Sequence, residues 1–276
     1  MSRSFSHGGG LCPPPRRGKA ASSLLPRLAS LGRALRARRV LARAREAIVA
    51  MLGGPRLKRV DFGGLRRLEP VSRHFGFDRG LPVDRYYIEA FLARHATDVR
   101  GRVLEVGDDA YTKRFGDGRV TRRDVLHIDG KDPNATIVGD LAAGDTIPGA
   151  AFDCVILTQT LHLVYDVRAA LATLRRILRP GGTLLATFPG LSQLSCDVWR
   201  DTWYWGFTTR GARRLFAEAF PDAEVEIESH GNVLASIAFL QGIATEELER
   251  FELDHCDPSY ELLITARVRT PGGGQP

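Results

Sequence analysis

The chain has 276 residues, 43% of them hydrophobic and 26% charged, enough for one large α/β domain plus an arm. No run approaches the roughly 18 uninterrupted apolar residues of a membrane-crossing helix. The four cysteines (Cys12, Cys154, Cys196, Cys256) are too widely spaced for a disulfide framework or a zinc site, so a reducing, cytoplasmic setting without a metal is expected. The formal charge of +7 divides unevenly. Residues 1–60 hold fourteen Lys/Arg against the single acid Glu46, a balance of +13, and the rest holds 25 basic and 31 acidic residues, a balance of −6. The body is mildly acidic, so its partner class is not set by the basic arm.

Residues 1–23, rich in Gly, Pro, Arg and Ser, read as a disordered basic tail. From residue 24 the composition turns to Ala, Leu and Arg. Leu24, Leu28, Leu31 and Leu35, then Leu41, Ala44, Ile48 and Leu52, recur at helical spacing up to the stop at Gly53-Gly54-Pro55. Such a basic amphipathic helix suits the inner face of an anionic membrane or a partner subunit, and its acid-poor makeup also suits a transit peptide. Residues 24–81 are thus an arm and connector. Pro82 opens a helix whose Tyr86, Tyr87, Phe91 and Leu92 form an apolar face through Ala96.

Between Val103 and Pro189 short apolar strands end in polar or glycine-bearing loops: VLEVG (103–107), VLHID (125–129), ATIVGDL (135–141), FDCVILTQTLH (152–162) and LRPGGTLLATFP (178–189). Strands this apolar are buried on both faces, as in a parallel sheet covered by helices. A ligand in such a sheet lies beyond the strands' carboxyl ends, where the winding order reverses. Those ends carry Glu105, Gly107, Asp129, Asp140 and Thr158. Helices are predicted at 166–178 and 208–219, and alternating edge strands at 223–229 and 260–268. Residues 232–250 have helical periodicity and read as a lid, with Leu234, Ile237, Ala238 and Leu240 facing inward.

From about Tyr86 to Arg269 this ordered set of features resembles the class I S-adenosylmethionine-dependent methyltransferases, particularly the type 11 group. The resemblance implies a Rossmann-like seven-stranded α/β sheet with helices on both faces over 82–270, strand seven antiparallel beside strand five, and S-adenosyl-L-methionine as cofactor. It also implies roles. Gly107 would let the backbone approach the cofactor's amino-acid end, and Glu105 would accept from its ammonium or orient the loop. Asp129 would accept from the ribose hydroxyls, and Asp140 with Leu141 would address the adenine. Thr158 and Gln159 would face the sulfonium. Turn capping competes for Asp129 and Asp140. One departure matters: the family loop carries further glycines, whereas this chain reads Glu105-Val106-Gly107-Asp108-Asp109-Ala110-Tyr111. Two acids there repel a pyrophosphate and tolerate a sulfonium cation.

Methyl transfer from a sulfonium is a direct displacement, so alignment dominates and a base is needed only where the acceptor must lose a proton early. His162 is the nearest candidate base, with a structural role as its alternative, while His127 reads as core. Trp203, Tyr204 and Trp205 in the aromatic segment 196–207 suit an acceptor wall or core packing, and His230 borders the inserted helix. Residues 72–91 resemble a segment found upstream of this domain in some bacterial members near glycan-assembly enzymes. That resemblance implies a saccharide or lipid-linked glycan acceptor, within the broader expectation of a small-molecule, saccharide or glycan methyltransferase. A non-catalytic methyltransferase-fold protein and an RNA methyltransferase tethered by the basic arm are the alternatives. Nucleic acid is disfavoured by the acidic body, and a nicotinamide dehydrogenase by the lack of GxGxxG after the first strand.

Overall fold

The computed structural model describes residues 61, 63–197 and 199–273, and the tail and helix expected within residues 1–60 lie outside them. The chain divides into a unit ending at Arg66, whose described part is a 3-10 turn at Gly63–Leu65, and a compact unit from Arg67 onward. In the second unit the strands are β1 (Gly101–Val106), β2 (Val120–His127), β3 (Ile137–Val138), β4 (Phe152–Thr158), β5 (Leu178–Pro189), β6 (Glu224–His230) and β7 (Leu263–Arg269). The helices are α1 (Val83–Arg94), α2 (Ala110–Gly116), α3 (Val167–Ile177), α4 (Thr209–Ala219), α5 (Val233–Gln241) and α6 (Arg250–Asp254). One seven-stranded sheet runs in the order β3-β2-β1-β4-β5-β7-β6. Its first five strands are parallel, and β7 lies antiparallel between β5 and β6.

Period-two alternation divides the strand side chains between two cores. Leu104, Val155, Leu157 and Leu184 point to the face covered by α3 and α4, where Leu171, Leu174, Ala212 and Phe216 are buried. Val103, Cys154, Ile156 and Leu185 point to the other face, against Ile88, Phe91 and Leu92 of α1 and Ala235, Ala238 and Phe239 of α5. Burial pushes the Cys154 thiol up, which leaves it an inert core group. In α3 the buried positions Val167, Ala170, Leu171, Leu174 and Ile177 follow the helical period, and Asp166 caps the helix by accepting from the Ala169 amide at 3.0 Å.

Three local features differ from the sequence reading. The stretch after β1, for which no helix is predicted, closes into α2. Its first-turn amides are satisfied by Glu105, a carboxylate from the preceding strand that local periodicity cannot reveal. The 232–250 segment is α5, closed at Gly242, whose φ of 66° is left-handed, then a 3-10 turn at Thr245–Glu247, with α6 beginning only at Arg250. The inward face of α5 is also corrected. Ala238 is buried, but Leu234, Ile237 and Leu240 are exposed, because the helix packs closely through Ala235, Ser236, Ala238 and Phe239.

Candidate active site

A cleft of about 850 Å³ opens at the carboxyl ends of β1, β2 and β4, at the point where the sheet order reverses between β1 and β4. Its floor is Gly107 and Asp108 after β1, His127 and Ile128 at the end of β2, and Thr158, Gln159 and Thr160 at the end of β4. Gly107 has a φ of +95°, and a Cβ added there would meet nothing within 4 Å. Backbone conformation, not crowding, demands glycine here. Gln159 adopts a φ of 46° while its amide donates to Thr187 O at 2.9 Å. A left-handed non-glycine residue costs on the order of 1–3 kcal/mol and collects at functional sites.

The wall comes from the turn after β4. His162 is 2% exposed, its Nδ1 has no hydrogen-bond partner among the described residues, and its ring lies 4.3 Å from that of Trp203. Burial lowers its pKa to about 4, so the imidazole is neutral at physiological pH. Trp203 stacks on Phe75 with ring centroids 6.1 Å apart, and Phe75 in turn meets Phe239 of α5.

The roof was not legible as part of the site. Val71 and Ser72 donate backbone hydrogen bonds to Gln241 O, and Arg79 pairs with both carboxylate oxygens of Glu247. The part of the expected connector that follows Arg67 is thereby tied to the α5 insertion. It brings Arg73, Phe75 and Phe77 to the cleft, and the first turn of α1 adds Asp84 and Arg85. Their only sequence signal is a charged pair, Asp84-Arg85, at the start of an otherwise apolar helix face.

Of the residues singled out in the sequence, Gly107, Thr158, Gln159, His162 and Trp203 line the cleft together. His127, expected in the core, lines it as well, because it is the last residue of β2. The others are placed elsewhere. Glu105 is buried and accepts from Tyr111 N, Thr112 N and Thr112 Oγ1 at 2.7–3.1 Å, so it orients the loop from beneath. Asp129 pairs with Lys131 at 2.9 Å, which holds its carboxyl below the usual range. Asp140 is exposed and caps Ala142 N at 2.8 Å, and Leu141 packs into the core. Tyr204 and Trp205 are exposed. Their amides, together with Trp205 Nε1, donate to the carbonyls of His162, Val164 and Tyr165, bracing the turn that carries His162. His230 stacks on Tyr87, with its Nε2 3.0 Å from Thr265 Oγ1.

A parallel sheet with an inserted antiparallel seventh strand and a cleft at its switch point defines an α/β domain of the methyltransferase type. Residues 112–186 match the family model described as a methyltransferase domain. No curated protein sequence matches it. Among solved structures it is similar to a SAM-dependent methyltransferase from Archaeoglobus fulgidus, at 12% identity and a TM-score of 0.45, covering 67% of this chain and 94% of that one. The N-methyltransferase NodS from Bradyrhizobium japonicum, solved with S-adenosyl-L-homocysteine, is similar at 15% identity and a TM-score of 0.45, covering 70% and 90%. A phosphoethanolamine N-methyltransferase from Haemonchus contortus, solved with S-adenosyl-L-methionine, is similar at 13% identity and a TM-score of 0.44, covering 72% and 60%.

Proposed function

We propose that the protein is an S-adenosylmethionine-dependent methyltransferase acting on a small-molecule, saccharide or lipid-linked glycan acceptor. The observation that carries this reading is the cleft itself: an open glycine bend after β1 sharing one cavity with the tips of β2 and β4. S-adenosylmethionine supplies an electrophilic methyl group on a sulfonium centre. Gly107, His127 and Ile128 would hold its nucleoside side, and Thr158 and Gln159 would face the methyl. Asp84 and Asp108 line the cavity, and although burial pushes the Asp84 carboxyl up, a cationic ligand would favour the charged form of both. Their charge disfavours a pyrophosphate cofactor.

His162 and the Phe75–Trp203 stack form the acceptor side. A neutral imidazole with an unpartnered ring nitrogen accepts a hydrogen bond from a hydroxyl or amine and orients its lone pair for displacement. A pKa near 4 favours that orienting role over early proton removal. The flat aromatic pair suits a sugar or planar ring. A second reading, a non-catalytic member of the fold, is favoured by the loop Gly107-Asp108-Asp109, whose acids are already engaged with Ala110 N, Lys113 and Arg123.

Calorimetry with S-adenosylhomocysteine, joined to mass spectrometry of nucleoside carried through purification, tests the proposal. Binding at micromolar levels or tighter is expected, and a chain that takes up neither the donor nor its demethylated product is not a methyltransferase. Binding without transfer of labelled methyl to any acceptor in a glycan and small-molecule screen would favour the second reading.

A further inference from the structure

We propose that Asp84 and Arg85, adjacent residues in the first turn of α1, form a clamp for the zwitterionic amino-acid end of the donor. In this clamp Arg85 takes the carboxylate and Asp84 the ammonium. The inference rests on the methyl-donor reading above and assigns a part of the cleft that the strand-tip residues leave open.

Three observations carry it. First, both side chains line the cleft that contains Gly107 and Asp108. Glu89 of α1 pairs with Arg114 of α2 at 2.7 Å, so the helix that carries the pair lies against α2. Second, the pair is incomplete. Arg85 Nη1 is buried and has no hydrogen-bond partner among the described residues. Its nearest carboxylate oxygen, Asp84 Oδ2, lies 3.6 Å away, beyond hydrogen-bond reach. A buried guanidinium nitrogen left unmatched is costly unless a ligand completes it. Asp84 is 8% exposed, and burial pushes its carboxyl up while the adjacent Arg85 pulls it down, so a ligand cation beside it would favour the charged form.

Third, most amides of the loop after β1 are already engaged within the chain. The amide of Gly107 donates to Leu126 O, that of Ala110 to Asp108 Oδ1, and those of Tyr111 and Thr112 to Glu105. An anion arriving there needs a cation from another element. Two arginines line the cleft, and the other, Arg73, is 62% exposed and paired with Glu69 at the rim. The lost loop glycines and the guanidinium nitrogen without a hydrogen bond thus fit together: recognition of the amino-acid end has moved from the loop to α1.

The test uses three probes on the full chain. They are S-adenosylhomocysteine, 5′-methylthioadenosine, which lacks the amino-acid end, and decarboxylated S-adenosylhomocysteine, which keeps the ammonium alone. Arg85→Gln should weaken S-adenosylhomocysteine at least tenfold and leave the other two within about twofold. Asp84→Asn should weaken both ammonium-bearing probes and spare methylthioadenosine. Arg85→Lys, which keeps the charge and guards against misfolding, should fall between wild type and Arg85→Gln for S-adenosylhomocysteine alone. Equal weakening of all three probes by Arg85→Gln would make the pair structural, and unchanged affinity for S-adenosylhomocysteine would remove it from the site. Wild-type protein that binds none of the probes would overturn the donor reading and the clamp together, whereas a failed clamp leaves methylthioadenosine binding intact.

Discussion

Glu105, read in the sequence as a strand-end carboxylate facing the ligand or orienting its loop, acts in a way that only packing reveals. It sits at the end of a buried strand and spends its carboxylate on the first turn of α2. Burial pushes its carboxyl up to about 7, against the pull of hydrogen bonds from Thr112 and Tyr111. Between its ordinary value of 4.5 and about 7, the folded chain therefore holds a proton that the unfolded chain has released. Its contribution to stability is fully present at low pH and is lost as pH rises through that window, by about 3 kcal/mol. Glu105→Gln loses one hydrogen bond at every pH but cannot titrate. Urea unfolding from pH 4 to 8 should show the variant gaining on the wild type by about that amount over the window. Parallel curves would mean that the carboxylate is ionised throughout. The sequence located Gly107, Thr158, Gln159, His162 and Trp203 at the cleft because their positions follow from strand ends, which apolar runs mark clearly. It did not separate Asp129 and Asp140 from turn caps, since an Asx turn and a ligand contact demand the same residue at the same place. Arg85 was invisible for a different reason: its missing partner can be noticed only once its neighbours are known.

At the scale of elements, the buried parallel strands were legible from their apolar runs, whereas the antiparallel seventh strand came from the family resemblance, and β7, expected at a sheet edge, is buried between β5 and β6. The α5 insertion was legible as helix but not in its facing. A periodic stripe of leucines predicts the buried side only when that side is set by hydrophobic area. Here it is set by close approach through Ala235 and Ala238 and by Asn232, whose Oδ1 accepts from Ala235 N at 2.9 Å while its Nδ2 donates to Glu252 O and His255 O at 2.6 and 2.8 Å. This one side chain caps α5 and ties it to α6. Asn232→Ala should cost about 3 kcal/mol: about 1 for the cap and the remainder for two carbonyls left without their donor. Asn232→Ser keeps a capping oxygen but cannot reach α6, so it should recover only the first part. Denaturant midpoints at constant m decide between them, and full recovery by serine would show that the tie to α6 contributes nothing.

At the scale of the molecule, the division of charge sets a distinct expectation for each part. Residues 1–60 carry a balance of +13 and the remainder −6, and the compact unit begins at Arg67. Among the described residues no helix is long and apolar enough to cross a membrane. We propose that any membrane contact is peripheral and resides in the first sixty residues, where basic side chains near an anionic surface contribute about 1 kcal/mol each. Residues 67–276 alone should then unfold cooperatively and bind S-adenosylhomocysteine as the full chain does, because every residue lining the cleft lies within them. The full chain should sediment with phosphatidylglycerol vesicles at low ionic strength and release at about 1 M salt, where screening acts over ~3 Å. The shorter chain should stay in solution at both. Equal sedimentation of the two would move the contact onto the acidic body, for which the exposed Leu234, Ile237 and Leu240 of α5 would be the first residues to replace. Loss of nucleoside binding on truncation would instead make the basic segment part of the catalytic unit, and the charge division would no longer mark a functional boundary.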